Sequence, residues 1–353
     1  MTGFSAFDHA MMRRALSLAE RGLYTATPNP RVGCVVTRGE AILAEGWHEK
    51  AGAPHAEAAA LRDVSAEGAT VYLNLEPCNH YGRTPPCSDL LMQKKVARVV
   101  AAMRDPNPEA RGGGERLKAA GIGFEHGLLE DEARELNIGF ASRMTRGRPW
   151  VRLKVAATLD GRTALLDGRS QWITGAEARR DAQRWRARAC AILTGIGTVK
   201  ADDPQLTVRE VATPRQPLRV VVDSRLETPP AARILQGERT LIFTARAGKL
   251  ANAEVLALPN TRGKVELPRM LEELARRGVN ELHVEAGFRL NGSLVREGCV
   301  DEFLVYLNPS FLGDSAQGML DLAAPVGLEE RFKLRLHSLD RVGADLRLVL
   351  RPA

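Results

Sequence analysis

The sequence predicts two α/β domains of unequal length in tandem, and three observations carry that prediction. Its 353 residues suit two domains at roughly 100–200 residues each. Apolar runs that read as strands alternate with stretches of helical periodicity along nearly the whole chain, the pattern of sheets covered by helices. One polar, basic stretch, residues 141–149, punctuated by Gly147 and Pro149, interrupts the alternation and reads as the linker.

The elements follow in order. Met11, Ala15, Leu18 and Ala19 recur at helical spacing after Asp8, whose side chain suits an N-cap. Residues 32–37 and 41–47 flank the turn Arg38-Gly39-Glu40 and read as a hairpin. The alanine-dense stretch 56–62 predicts a helix, and 69–75 a strand that ends at Glu76-Pro77-Cys78. Pro85 and Pro86 precede Cys87 where the first turn of a helix through Lys94 is expected. A strand over 96–103 continues the series, and the first unit closes near Gly139. A second series starts after Trp150 with a strand over 151–158. Thr174-Gly175-Ala176-Glu177 then reads as a capping box that opens a helix through Arg188. Strands are expected over 189–194, 218–223, 240–244, 281–285 and 302–307, with a helix near 268–277.

Composition bounds the function classes. With 44% hydrophobic and 26% charged residues the chain can bury a sizeable core, which excludes disorder as the main state. No apolar run approaches the ~18 residues of a membrane span. Asp8, His9, Arg13, Arg14 and Glu20 stand where an export signal would need an apolar core. Five cysteines, an odd number, point to reduced thiols rather than a disulfide framework, so a cytoplasmic protein is expected. Lys and Arg total 50 against 43 acidic residues, a formal charge of +7. That excess suits a nucleic acid or a phosphorylated substrate. The scattered basic residues and 5% aromatic content favour the substrate; solubility alone would also account for the charge.

The chemistry-bearing residues of the first half are His55 and Glu57 in Pro54-His55-Ala56-Glu57, Cys78 after a strand, and Cys87 at a helix start. They match the zinc-deaminase logic, in which one His and two Cys hold Zn²⁺, water fills the fourth position, and a Glu moves protons without touching the metal. Two thiolates cancel the charge of the metal, and an open position lets it acidify water to a pKa of ~7. The general pattern has two residues between the cysteines; here eight, 79–86, separate them. Two alternatives stay open at this level: inert buried thiols, and a structural zinc with His80 as a fourth ligand. A carboxylate beside the metal, Glu57, favours the catalytic site. Cys34, Cys190 and Cys299 read as small core residues.

The loop Glu76-Pro77-Cys78-Asn79-His80-Tyr81-Gly82-Arg83-Thr84-Pro85-Pro86-Cys87 resembles the bifunctional diaminohydroxyphosphoribosylaminopyrimidine deaminase / 5-amino-6-(5-phosphoribosylamino)uracil reductase family of riboflavin biosynthesis. The resemblance extends to Thr27-Pro28-Asn29-Pro30-Arg31-Val32-Gly33-Cys34 and Arg104-Asp105-Pro106-Asn107-Pro108. It implies that His55, Cys78 and Cys87 bind zinc and that Glu57 carries the proton. It also implies that residues 79–84 with Asn29 hold the pyrimidine and its phosphoribosyl group. Asn79 stands where the family leads one to expect serine, and 111–114 is a glycine-richer, slightly shorter turn than expected.

Read without the resemblance, the second half is less legible. Gly195-Ile196-Gly197 lacks the third glycine of a dinucleotide fingerprint, Lys200 standing there. Glu285-Ala286-Gly287 with Asn291-Gly292-Ser293, between a strand and a helical stretch, is the better phosphate candidate. Leu153-Lys154-Val155-Ala156-Ala157-Thr158-Leu159-Asp160-Gly161-Arg162, Ser170-Gln171-Trp172-Ile173-Thr174 and Ala201-Asp202-Asp203-Pro204-Gln205-Leu206-Thr207-Val208-Arg209 look like the reductase half of the same family. The resemblance therefore implies a cytidine-deaminase-like α/β/α layer domain over 1–146 and a dihydrofolate-reductase-like α/β domain over 147–353. It implies NADPH at Ala156, Trp172, Thr198, Asp202, Ser224, Gly287, Phe288, Arg289, Leu290, Asn291, Gly292 and Ser293. It implies substrate at Ser170, Arg186, Leu206, Arg209 and Glu285. Arg186 and Arg209 offer forked donors for a ribose phosphate, although Arg186 shares its helix with Arg179, Arg180, Arg184 and Arg188 and could belong to a solvated basic face.

The expected activity is zinc-dependent hydrolytic deamination of a phosphoribosylated diaminopyrimidinone, followed by NADPH-dependent reduction of its ribosyl group to ribityl. The expected partner is a small phosphorylated pyrimidine, with no nucleic acid and no membrane; a homo-oligomer is left open. The rival readings are a nucleic-acid or nucleoside deaminase whose second half only binds, and a zinc-stabilised interaction protein without activity.

Overall fold

The computed structural model describes residues 3–82, 85–237 and 240–353. The chain divides into two compact units, Met1–Gly147 and Arg148–Ala353. Among the described residues, no helix is long and apolar enough to cross a membrane.

In chain order the first unit comprises α1 (Ala6–Glu20), β1 (Gly33–Arg38), β2 (Ala41–Trp47), α2 (Ala56–Ala60), β3 (Thr70–Leu75), α3 (Cys87–Gln93), β4 (Arg98–Met103), α4 (Gly113–Ala119), β5 (Gly123–His126), α5 (Glu130–Leu136) and α6 (Ile138–Arg146). Its sheet runs β2-β1-β3-β4-β5. The hairpin β1–β2 is antiparallel, β1 pairs antiparallel with β3, and β3, β4 and β5 are parallel. Period-two alternation sorts the strands into two cores. Cys34, Val36, Val71, Leu73, Val99 and Ala101 pack on one face with Ala56, Ala60, Leu91 and Leu117. Val35, Tyr72, Val100 and Ala102 pack on the other with Met12, Ala15 and Ala133. Gly46 is where α2 closes on the sheet, because a Cβ there would lie 2.6 Å from the Ala56 carbonyl oxygen. That close approach fixes the height of the helix carrying His55 and Glu57.

Three expectations need correction. Asp8 is not the N-cap: Ser5 caps α1, and Asp8 is the third residue of a capping box, its N–H donating to Ser5 Oγ at 3.1 Å. Asp8 is buried, and the Tyr72 hydroxyl (2.8 Å) and Arg98 (2.6 Å) both donate to Oδ1. The stretch 141–149 is mostly helix α6, because Ile138, Phe140 and Ala141 bury one face while Arg143 and Arg146 occupy the last turn. Only 147–149 lies between α6 and the next strand. The third correction is that Thr174 caps nothing. Gly175 is the N-cap of its helix, without a side-chain bond of its own, and its N–H donates to Asp345 Oδ2 at 2.7 Å.

The second unit comprises β6 (Trp150–Thr158), β7 (Arg162–Ala164), α7 (Ala176–Arg188), β8 (Ala191–Gly195), α8 (Ile196–Asp202), β9 (Leu218–Val222), β10 (Thr240–Thr244), β11 (Ala253–Ala257), α9 (Leu267–Arg276), β12 (Glu281–Val284), α10 (Phe288–Arg296), β13 (Glu302–Asn308), β14 (Gln317–Gly318), β15 (Leu334–Val342) and β16 (Asp345–Pro352). Its main sheet runs β11-β10-β9-β8-β12-β6-β13-β16-β15. It is parallel from β11 to β13, and β16 and β15 join antiparallel at the far edge. Val151, Leu153, Val155 and Ala157 of β6 enter the main core with Leu282 and Val284 of β12 and Phe303 and Val305 of β13.

The opposite face of those central strands joins a small apolar cluster, Leu304 and Tyr306 with Ala178 and Ala182, to a buried charged patch. Arg152, 1% exposed, bonds Glu302 (2.5 Å) and Glu281 (3.1 Å), while Arg351 holds Glu302 and Arg188 holds Glu281. Burying such charges is tolerable only because each has a partner. None of the three thiols read as core residues is in a disulfide among the described residues: Cys34 and Cys299 are buried, and Cys190 is half-buried against the main core.

Candidate active sites

In the first unit, Pro86 holds the turn that starts α3 at Cys87, and His55 immediately precedes α2. The ligand atoms of His55, Cys78 and Cys87 all lie within 4.8 Å of one another. His55 Nδ1 is 3.3 Å from Cys87 Sγ and 3.7 Å from Cys78 Sγ. A tetrahedral zinc with ordinary Zn–N and Zn–S bonds sets an N···S edge of about 3.6 Å, so the cluster fits the ion. The Cys87 N–H donates to Cys78 Sγ at 3.3 Å, which favours thiolate there. Hydrogen bonding by Cys87 first, then His55 against the cost of burial, pulls Cys78 down to about 4. Among the described residues His80 is outside the cluster, which leaves the structural-zinc alternative without its expected fourth ligand there.

Glu57, 4% exposed, sits in the first turn of α2 and meets the Cys87 thiol. Burial, then the charge of Cys78, raises its pKa, which suits a group that must alternately take and give a proton. His48 was missed in the sequence. Its Nδ1 lies 3.0 Å from the Pro54 carbonyl oxygen and its Nε2 lies 3.0 Å from Asn29 Nδ2. Those partners assign Nδ1–H as donor and Nε2 as acceptor, so one buried ring joins Asn29 to the residue preceding His55. Position 48 just after a strand was the available signal. Asn79 Oδ1 accepts from Ser88 Oγ and Arg116 Nη1, each at 3.1 Å, and thus ties the loop to α3 and α4. Arg83 and Thr84 lie outside the described residues.

In the second unit, a cleft of about 2220 Å³ opens along the carboxyl ends of β6, β8, β9 and β12, where parallel sheets place ligands. That exceeds the ~300–1,000 Å³ of ordinary small-molecule sites, as a dinucleotide plus a nucleotide-sized substrate requires. Every cofactor and substrate residue expected from the sequence lines it except Leu206 and Gly292. Leu206 is buried in a side core with Ile192 and Val221. Gly292 packs on the chain, where a Cβ would lie 2.3 Å from the Asp321 carbonyl oxygen. The N-cap of α10 is Gly287, which makes no side-chain cap bond, an arrangement in which the first N–H groups of a helix can receive an anion. Trp172 is 69% exposed at the rim, with Arg179 stacked 4.5 Å from its ring centroid.

Arg186 differs from its expected disposition. Its fork is spent on Glu285, Nε–Oε1 2.5 Å and Nη2–Oε2 2.7 Å, and its Nη1 donates to the Thr207 carbonyl. Burial would raise Glu285, but Arg186 overrides it and holds the carboxylate well below the usual range. Arg209 is exposed on the cleft wall, with its charged end turned to no carboxylate within ion-pair range among the described residues. Lys154 was also missed: burial lowers its pKa while the Glu285 charge opposes. The strict alternation Arg152-Leu153-Lys154-Val155 was the signal, since in a strand it sends Lys154 to the face opposite the core.

Comparison with known proteins finds relatives for both units. Residues 5–103 match the cytidine and deoxycytidylate deaminase zinc-binding region, and residues 149–348 match the RibD C-terminal domain. The riboflavin biosynthesis protein RibD of Escherichia coli K12 is 44% identical, over 97% of this chain and 99% of that protein. A solved structure of Acinetobacter baumannii RibD superposes with a TM-score of 0.92 at 42% identity, covering 98% of this chain and 99% of that one. The Thermotoga maritima diaminohydroxyphosphoribosylaminopyrimidine deaminase / 5-amino-6-(5-phosphoribosylamino)uracil reductase gives 0.90 at 32% identity, with the same coverage. The molecule is thus an enzyme that joins a zinc-dependent deaminase to a reductase. The chain belongs to the RibD family, whose members serve riboflavin biosynthesis.

Proposed function

We propose that residues 1–146 deaminate 2,5-diamino-6-(phosphoribosylamino)pyrimidin-4-one and residues 147–353 reduce the product with NADPH. The observation that carries this reading is the His55–Cys78–Cys87 cluster with Glu57 beside it. The metal, when bound there, acts as a Lewis acid that makes water nucleophilic at neutral pH. Glu57 takes one proton of the attacking water and delivers it to the ring nitrogen, then takes the second proton from the hydroxyl left on the carbon as the carbonyl forms and gives it to the amino group, which departs as ammonia. Asn29, fixed by His48, and Asn79 orient the pyrimidine.

In the reductase, Ala156, Thr198, Ser224 and the α10 N-terminus would hold NADPH, which would supply a hydride there. That hydride would go to the ribose carbon bonded to the exocyclic nitrogen as its bond to the ring oxygen breaks, and the departing oxygen must take a proton. Lys154, a cation whose pKa is lowered by burial on the cleft wall, is the donor this geometry favours. Arg209 is the phosphate contact, and the Arg186–Glu285 pair forms the wall against which the sugar is placed. An assay that follows ammonia release and NADPH oxidation together tests the reading. Ammonia release should precede NADPH loss in equal amounts, and ammonia without NADPH oxidation would leave only a deaminase.

Cysteines that form no disulfide among the described residues suit the cytoplasm. A homo-oligomer is supported by the edge strand β15, where Leu334, Leu336 and Leu339 are exposed beside Leu346 of β16. Light scattering on the purified enzyme decides that point: a mass near 38.5 kDa would exclude it.

A further inference from the structure

Glu76 closes β3 two residues before Cys78 and is 3% exposed. Its carboxylate faces no cation within ion-pair range among the described residues. It gathers main-chain donors instead: Oε1 accepts from the N–H groups of Gly112 (3.2 Å) and Gly114 (2.9 Å), and Oε2 from that of Asp105 (3.1 Å). Its own N–H donates to the Met103 carbonyl at the end of β4. One buried side chain therefore knots the end of β3, the end of β4 and the N-terminus of α4.

The segment 105–114 held by this knot is also what the Cys78 main chain rests on. The Asn79 N–H donates to the Ala110 carbonyl at 2.8 Å. Gly113 lies so close that a Cβ would stand 2.0 Å from the Pro77 carbonyl oxygen. Pro77 and Asn79, the two neighbours of Cys78, are thus both seated on the segment that Glu76 collects. On the other side Cys78 is set by α3, through the Cys87 N–H to its sulfur and the Ser88 N–H to its carbonyl.

We propose that Glu76 is a positioning residue for the metal centre: by gathering three N–H groups of residues 105–114 it fixes the main chain of Cys78, and so the thiolate, at the place the ion requires. The charge matters as well as the shape. An ionised acceptor makes each of these bonds stronger than a neutral one would. A glutamine can supply one oxygen but turns an NH₂ toward the remaining N–H, donor against donor. Residues that orient metal ligands through hydrogen bonds typically cost about 10- to 100-fold in affinity or activity when changed. The inference rests on Cys78 being a ligand, as proposed above.

The test measures zinc affinity by competition with a chromogenic chelator and the electronic spectrum of the cobalt-substituted enzyme, for wild type, Cys78→Ser, Glu76→Gln and Gly113→Ala. Loss of the equimolar zinc in Cys78→Ser checks the ligand assignment by itself; retention there would refute that assignment and leave the Glu76 comparison to be read separately. Glu76→Gln should weaken zinc binding about 10- to 100-fold, alter the cobalt bands and lower deamination even at saturating zinc, while NADPH oxidation on deaminated substrate stays at the wild-type rate. Gly113→Ala displaces Pro77 without touching the carboxylate and should weaken zinc binding in the same direction. It decides the matter if Glu76→Gln does not fold. A role confined to stability would lower the melting temperature yet leave the zinc dissociation constant and cobalt spectrum at wild type. That result, in whichever of the two variants is folded, would overturn the proposal.

Discussion

Replacing Arg186 with methionine separates two roles for this side chain, phosphate clamp and partner of Glu285. The geometry supports the second: the two contacts of 2.5 and 2.7 Å form a bidentate pair whose side chains are only 13% and 16% exposed. Opposite charges about 4 Å apart at an effective dielectric near 20 attract by about 4 kcal/mol. Removing one partner of a buried pair costs about 3–5 kcal/mol, because the other charge is left uncompensated. Arg186→Met should therefore destabilise the second unit by about that amount in urea unfolding at pH 7.5. Adding Glu285→Gln should recover a large part of the loss, with a coupling above about 1 kcal/mol. The kinetic arm compares the deaminated substrate with and without its 5′-phosphate. Arg186→Met should slow reduction of both by the same factor, since it acts through Glu285. A variant as stable as wild type, with a loss confined to the phosphorylated substrate, would refute this account and restore the clamp.

Further outcomes follow from other parts of the molecule. Arg209→Met should raise KM for the phosphorylated substrate by the worth of a charge-assisted bond, about 1.5–3 kcal/mol, or roughly 10- to 150-fold, with a smaller change in kcat; steady-state NADPH oxidation measures both. Asp8 is opposed by burial, but Arg98, Ser5 and Tyr72 hold its carboxyl well below the usual range. A depressed carboxyl stabilises above its unfolded pKa near 3.9 and loses that contribution as pH falls. The stability gap between wild type and Asp8→Asn should accordingly be widest above pH 5 and shrink below about pH 4 in urea titrations. A gap independent of pH would contradict the pairing. Chelating zinc should abolish ammonia release and destabilise the first unit, by up to about 4 kcal/mol if the ion is held at 1,000 times its dissociation constant, read as a lower melting temperature. NADPH oxidation on deaminated substrate should be unaffected.

The first unit was legible because its chemistry is local and its strands alternate. The pieces His55-Ala56-Glu57, Pro77-Cys78 and Pro86-Cys87 each sit at an element end, and the sheet brings those ends together. Where reading failed, a tertiary contact had overridden a local signal. Asp8 resembled an N-cap, but Tyr72 and Arg98 draw its carboxyl inward while Ser5 caps the helix. The basic residues of 141–146 suggested a linker, yet three apolar residues near the start of α6 suffice to pin it as a helix. The second unit was harder, because its cleft is assembled from the ends of four strands far apart in sequence. The exposed edge strand β15 gave little signal, since residues such as Arg335, His337 and Asp340 break the apolar pattern. The Arg186–Glu285 pair spans 99 positions, and no spacing rule could have shown that the guanidinium was already engaged.

The central claim is that Glu57 moves protons at a zinc site without holding the metal. Glu57→Gln tests it most directly, with zinc content and ammonia release measured on the same preparation. The account predicts one zinc per chain as in wild type, deamination reduced by at least roughly 10²-fold, and unchanged NADPH oxidation on deaminated substrate. Deamination at the wild-type rate, or loss of the metal with the carboxylate, would contradict it.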